Sequence, residues 1–339
     1  MATDPEKQPS TGDSSRKNDV ARLFTMMRRF FPLWLIAVIV IVFGALLPAL
    51  SRAKNKAQSK QVVVYTSQDQ VYAEPILNEF EKQTGIEVRA VYDSESVKTV
   101  GLANRLIAEK NRTLCDIFWN NEELRTRQLA ALGVFERWAA FGHRSRRMAV
   151  NTNKVSLAEA PHSLTELTNE IWRGKVALAY PLFGTTAAHF LALRQRWGDK
   201  QWQNWCRALA ANKPFLVDGN SVAAKLVAKG EAWVGLTDSD DIAAEQREGA
   251  SIIALPLTEE LLLIPNTVAV VRGARHQPAA EKLFVYLQRP DVLEKLVAAR
   301  ALEGVSTSTG PNATLKPDWD TLLTDLEAGT KESKQIFLR

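Results

Sequence analysis

Residues 62–92 read VVVYTSQDQVYAEPILNEFEKQTGIEVRAVY, and this stretch decides the fold class. Val62-Val63-Val64-Tyr65 is a short apolar, β-branched run of the kind that forms a buried strand. Over 72–83 the apolar period lengthens to that of a helix, with Ile76, Leu77 and Phe80 on one face and Gly85 as the stop. Another apolar strand follows over 86–92. The rhythm continues with a helix over 94–110, a strand over 114–119 and a helix over 122–131 closed by Gly133. It returns as strands over 176–180, 215–217, 233–236 and 252–255, interleaved with helices over 186–197, 199–211, 221–229 and 240–248. Alternating β and α elements predict an α/β fold with a mainly parallel sheet, and this many strands suit two lobes better than one sheet.

The chain has 339 residues, 46% of them apolar, enough for more than one core. Its net charge of +5 is not spread evenly: residues 1–60 hold ten Lys/Arg against four Asp/Glu, which leaves 61–339 at −1. A folded part so close to neutral excludes a nucleic-acid footprint. Residues 30–50 run without a charge, about the 20 residues a helix needs to cross a bilayer. Arg16, Lys17, Arg22, Arg28 and Arg29 precede them and orient the N terminus inward. The expected organisation is a disordered cytoplasmic tail over 1–29, a transmembrane anchor or signal sequence over 30–50 and a linker over 51–60. The remainder then faces the periplasm or cell exterior from the inner membrane. A cleaved signal peptide ending near Ser51-Arg52-Ala53 is the competing reading, and the length of the apolar run favours the anchor. Cys115 and Cys206 lie in apolar and Trp-rich surroundings and read as buried free thiols.

In parallel α/β sheets ligands collect where strands end and helices begin. Five such joints here are polar: Thr66-Ser67-Gln68-Asp69, Asn120-Asn121-Glu122, Gly184-Thr185-Thr186, Gly219-Asn220-Ser221 and Thr237-Asp238-Ser239-Asp240-Asp241. Each alone reads as an ordinary helix cap in roughly two cases of three. Together they point to a site, because helix starts with small residues leave backbone N–H groups for an anion while a neighbouring cluster of carboxylates takes an amine or a hard cation. The candidate ligand-binding residues are Ser67, Asp69, Trp119, Asn121, Thr185, Thr186, Asn220, Asp238, Asp240 and Asp241. Trp119 joins them as an aromatic at a strand end beside Asn120 and Asn121. No Rossmann, P-loop, zincin or nucleophile-elbow motif is present, and His143, His162, His189 and His276 lack metal-like pairing. The residues imply no enzyme and no cofactor, and leave a metal open.

The stretch from Val62 to about Ser306 resembles the family-1 extracellular solute-binding proteins of ABC importers, in the branch of the ferric-iron-binding proteins. The resemblance is carried by Val64-Tyr65-Thr66-Ser67, Phe80-Glu81-Lys82-Gln83-Thr84-Gly85-Ile86, Asp116-Ile117-Phe118-Trp119, Asn151-Thr152-Asn153, Trp172-Arg173-Gly174-Lys175, Gly219-Asn220-Ser221, Gly235-Leu236-Thr237-Asp238 and Ile264-Pro265-Asn266-Thr267. It implies a two-lobed type 2 periplasmic-binding-protein fold with hinge strands, lobe I over 61–147 plus 263–339 and lobe II over 148–262. It further implies a monomer that hands a small ligand or ion to a membrane permease. A sensor or binding module without a transporter is the alternative. Where the ferric branch places two tyrosines, a histidine and a glutamate, motif alignment places Asp240, Asp241, Asp69 and Asn121 here. The anion loop of that branch maps to Thr185, Thr186 and Asn220. The resemblance therefore implies iron transport at family level and a site without its iron-binding phenolates.

Overall fold

The computed structural model describes residues 60–93, 100–306 and 315–338. The tail, the apolar run and nearly all of the linker lie outside the described residues. Among those that are described, no helix is long and apolar enough to cross a membrane.

The opening stretch folds as the sequence predicts. Strand β1 (Gln61–Thr66) leads into helix α1 (Gln70–Thr84), which buries Ile76, Leu77 and Phe80. Gly85 ends α1 at φ +67°, its N–H donating to the Glu81 carbonyl at 2.8 Å, a left-handed cap that glycine adopts without Cβ strain. Strand β2 (Glu87–Tyr92), helix α2 (Val100–Ala108), strand β3 (Ile117–Asn120) and helix α3 (Glu123–Ala131) complete this half. β1 pairs in parallel with both β2 and β3.

The segment after α3 is a single strand of 17 residues, β4 (Phe135–Asn151). It is followed by β5 (Val176–Ala179), α4 (Gly184–Trp197), α5 (Asp199–Ala211), β6 (Phe215–Val217), α6 (Asn220–Ala228), β7 (Val234–Asp238), α7 (Ser239–Arg247) and β8 (Ile252–Leu255). The chain then returns along β9 (Leu263–Val271) before α8 (Gln277–Leu287), α9 (Pro290–Ala298) and α10 (Trp319–Phe337). The strand order is β2-β1-β3-β9-β4-β7-β5-β6, with β8 also on β4. From Phe135 to Ser145, β4 runs antiparallel to β9; from Arg146 to Asn151 it pairs with β7 and β8. One strand thus belongs to two lobes, with a bulge at Gly142 (φ +55°) between Phe141 and His143.

Each lobe has helices on both faces of its sheet and hence two apolar layers. In the first, Ile76, Phe80, Ile117 and Trp119 pack with Leu283 and Leu287 of α8, while Tyr65, Phe118 and Leu129 pack on the other face. In the second, Met148, Leu178, Phe190 and Trp205 form the larger layer, and Ala177, Val227 and Ile242 the smaller. Leu322, Leu326 and Phe337 of the last helix, α10, join the core of Phe190 and Trp205. Gly329 makes this possible, since a Cβ there would lie 2.4 Å from Leu191 Cδ2. Cys115 and Cys206 are buried free thiols, as the sequence implied.

Candidate functional site

The five polar joints open onto one cavity at the ends of β1, β3, β5, β6 and β7. Asp69 and Asn121 come from the first lobe. Gly184, Thr185, Thr186, Asp218, Gly219, Asn220, Ser221, Asp238, Asp240 and Asp241 come from the second, and Arg144 enters from β4. Phe183 and Ala179 supply apolar wall.

Helix starts dominate the second-lobe wall. α4 begins after Phe183 and α6 after Gly219, neither of which offers a side-chain cap, and the N-cap of α7, Asp238, makes no capping bond either. The first-turn N–H groups of these three helices have no intrahelical acceptors, and their dipoles place positive potential at the same cavity. The hydroxyls nearby are turned inward. Thr185 Oγ1 donates to Asp238 Oδ2 at 2.8 Å, Thr186 Oγ1 to Asn220 Oδ1 at 3.0 Å, and Asn220 Nδ2 to Thr185 Oγ1 at 2.8 Å. These side chains shape the rim and leave the backbone to meet an anion.

The acidic joint is already partnered. Arg146 Nη1 donates to Asp238 Oδ1 at 2.6 Å, and Arg144 reaches Asp238 Oδ2 at 3.2 Å through Nη2 and Asp240 Oδ2 at 2.9 Å through Nη1. All four residues are at most 2% exposed. Burial alone would raise the Asp238 carboxyl, but Arg146 and Arg144 outweigh it and hold the pKa below the usual carboxylate range. Burial likewise opposes charge on Arg144, and Asp240, Asp238, Asp241 and Asp69 together more than reverse it, so the guanidinium stays charged. Asp241 Oδ2 accepts from Thr237 Oγ1 at 2.9 Å. One carboxylate oxygen from each of Asp238, Asp240 and Asp241 falls within 4.8 Å of the others, a spacing that could hold a metal ion.

Behind Arg146 sits His189. Its Nδ1 accepts from Arg146 Nε at 3.4 Å and its Nε2–H donates to the Glu260 carbonyl at 2.7 Å, the neutral tautomer. Burial, then the neighbouring Arg146, pushes its pKa down to about 3.

The structure thus brings Asp69, Asn121, Thr185, Thr186, Asn220, Asp238, Asp240 and Asp241 to one cavity, and leaves Ser67 and Trp119 out of its lining. Ser67 stands one step back: its hydroxyl donates to Asn120 Oδ1 at 2.5 Å and accepts the Asn121 N–H at 3.0 Å, which fixes the joint. Trp119 is fully buried in the first-lobe core, its ring tilted 6.3 Å from Phe141, because a residue still within a strand projects perpendicular to the sheet. Arg144, Arg146, Asp218 and His189 were missed. The signal for the arginines was available in Arg144-Ser145-Arg146, where period-two spacing sets two guanidiniums on one face of a strand. Among the described residues, the cavity lining contains no histidine, cysteine or tyrosine.

Two lobes joined by shared strands around a polar cavity define a ligand-binding protein of the two-lobed periplasmic type. The chain belongs to the bacterial extracellular solute-binding proteins, whose family model matches residues 61–299. It is 24% identical over 286 residues to the major ferric iron-binding protein of Neisseria meningitidis, covering 76% of this chain and 84% of the relative. To the Fe(3+)-binding periplasmic protein of Serratia marcescens it is 27% identical over 205 residues, 54% of this chain and 58% of the relative. Among solved structures, iron-bound HitA from Pseudomonas aeruginosa superposes with a TM-score of 0.70 at 18% identity, over 81% of this chain and 99% of that one. AfuA from Actinobacillus pleuropneumoniae, with exogenous fructose-6-phosphate bound, gives a TM-score of 0.67 at 21% identity over 83% and 97%. These identities establish the shared fold.

Proposed function

We propose that this protein is an extracytoplasmic receptor that hands a small anionic organic solute to an ABC importer, held at the inner membrane by residues 30–50. The observation that carries the ligand class is the convergence of the starts of α4, α6 and α7, which lack side-chain caps, on one cavity whose wall also includes Asp69, Asp240 and Asp241. A phosphate, phosphonate or carboxylate group fits the backbone N–H groups, and an ammonium or hydroxyl group on the same molecule fits the carboxylates. In this reading the receptor works as a monomer.

The relatives whose names record ferric iron support transport as the task, and the relative holding a sugar phosphate supports an organophosphate as cargo. Tyrosine-ligated iron is disfavoured in this reading, because the motif resemblance sets Asp240 and Asp241 opposite the tyrosines of the ferric branch and the described lining holds no tyrosine. We assign lobe I to 61–147 with 263–306, and lobe II to 148–262 with the last helix, 319–337.

Native mass spectrometry of the full chain, purified in mild detergent without chelator, tests the proposal. The expected result is a bound organic anion. Stoichiometric iron with a visible phenolate charge-transfer band would overturn it.

A further inference from the structure

Arg144 is buried, lines the cavity, and bridges the carboxylates of Asp238 and Asp240 at 3.2 and 2.9 Å. These are two of the three aspartates whose oxygens come within 4.8 Å of one another. We infer that Arg144 is a specificity-determining residue that closes this cleft to metal ions: its guanidinium is a resident cation between the carboxylates that a hard cation would need.

The physical case rests on charge and on donor capacity. A hard cation takes oxygen ligands at about 2.0–2.6 Å, with several carboxylates converging on it. Here one oxygen of Asp240 and one of Asp238 already accept from arginine, and the second Asp238 oxygen is ion-paired with Arg144 at 3.2 Å. A di- or trivalent ion in this cluster would sit within a few ångströms of a guanidinium that cannot deprotonate and cannot retreat to solvent. The same group favours an anion. Arg144 Nε is buried without a partner, so the side chain keeps one unspent donor. Asp238 remains paired with Arg146 when Arg144 is changed, so only Asp240 loses its guanidinium outright.

This role deepens the organic-anion reading above and rests on it for the natural ligand, but its test needs no knowledge of that ligand. Terbium luminescence, excited through protein aromatics, is titrated into detergent-solubilised full chain as wild type, Arg144→Lys and Arg144→Met. Wild type and Arg144→Lys, both charged, are expected to show no saturable site. Arg144→Met is expected to gain one, and to lose it on adding Asp240→Asn. Arg144→Gln, which retains hydrogen-bonding groups, replaces the methionine variant if that does not fold, with the same gain expected. Saturable terbium binding by wild type as tight as by Arg144→Met overturns the inference, as does a cooperatively melting Arg144→Met or Arg144→Gln that gains no site. A gain in the variant when wild type carries no organic anion upholds the role of Arg144 and counts only against the organic-anion reading.

Discussion

Arg247, the last residue of α7, donates through Nη2 to the Tyr72 hydroxyl at 2.6 Å and so ties the second lobe to the first outside the cavity. Its guanidinium carbon lies 5.1 Å from the centroid of the Tyr72 ring, and Nη1 donates to the Ala299 carbonyl at 2.7 Å. Tyr72 in turn reaches the Asp240 carbonyl at 3.4 Å. Burial, then Asp240, pushes the phenol up to about 12, so it remains a neutral donor. Arg247→Ala removes a charge-assisted hydrogen bond worth about 1.5–3 kcal/mol to the contact between the lobes. The ligand-free variant should show a larger radius of gyration in solution scattering, and affinity for whatever co-purifies should fall about tenfold or more. Unchanged scattering would mean that this contact does not hold the lobes together.

Trp119 is a core residue, and its substitution should separate stability from binding. Trp119→Ala is expected to cost about 3–5 kcal/mol in urea unfolding. Binding by the folded fraction should be unaltered. A selective loss of affinity with full stability would return Trp119 to the site.

His189 should make stability depend on pH. Its pKa is about 3 in the fold against an ordinary value of 6.5. The unfolded chain therefore takes up a proton that the fold refuses, and stability present above pH 6.5 is lost as pH falls towards 3. Between pH 7 and pH 5 the loss from this one group is about 2 kcal/mol. Urea melts at the two pH values should show His189→Gln losing less than wild type by about that amount. Equal losses would remove His189 from the account.

Gly142 is the one residue of β4 in the left-handed region. A Cβ there would come 2.5 Å from Leu302 Cδ1 and 3.1 Å from the Gly304 carbonyl. Gly142→Ala should destabilise by about 1–3 kcal/mol. The check is the urea midpoint, and no change in it would show that the bulge relaxes freely.

The β–α rhythm was legible because the short strands β3, β5 and β7 are buried on both faces and most helices stop at a glycine or a polar turn. Strand 252–255 and helix 199–211 fall where the sequence put them, and most other ends differ by one to three residues. The cavity was legible in its joints for the same reason: helix starts carry small polar residues. β4 was not. Phe135–Asn151 changes partners partway and bulges at Gly142, so no period of two runs its length, and Arg144 and Arg146 were hidden with it. Trp119 was misplaced because a residue two positions before Asn121 still belongs to the strand. Asp238 looked like a ligand carboxylate until the structure placed two arginines on it.

The antiparallel ladder between β4 and β9 extends from Phe135 opposite Val271 to Ser145 opposite Leu263. Strands bonded along such a length flex and twist but do not slide, since a one-residue slip would turn every buried side chain to the wrong face. The lobes are therefore left with little more than one angle through which to move. One spectroscopic ruler, with a single label on each lobe, would follow nearly the whole excursion of this receptor between empty and occupied.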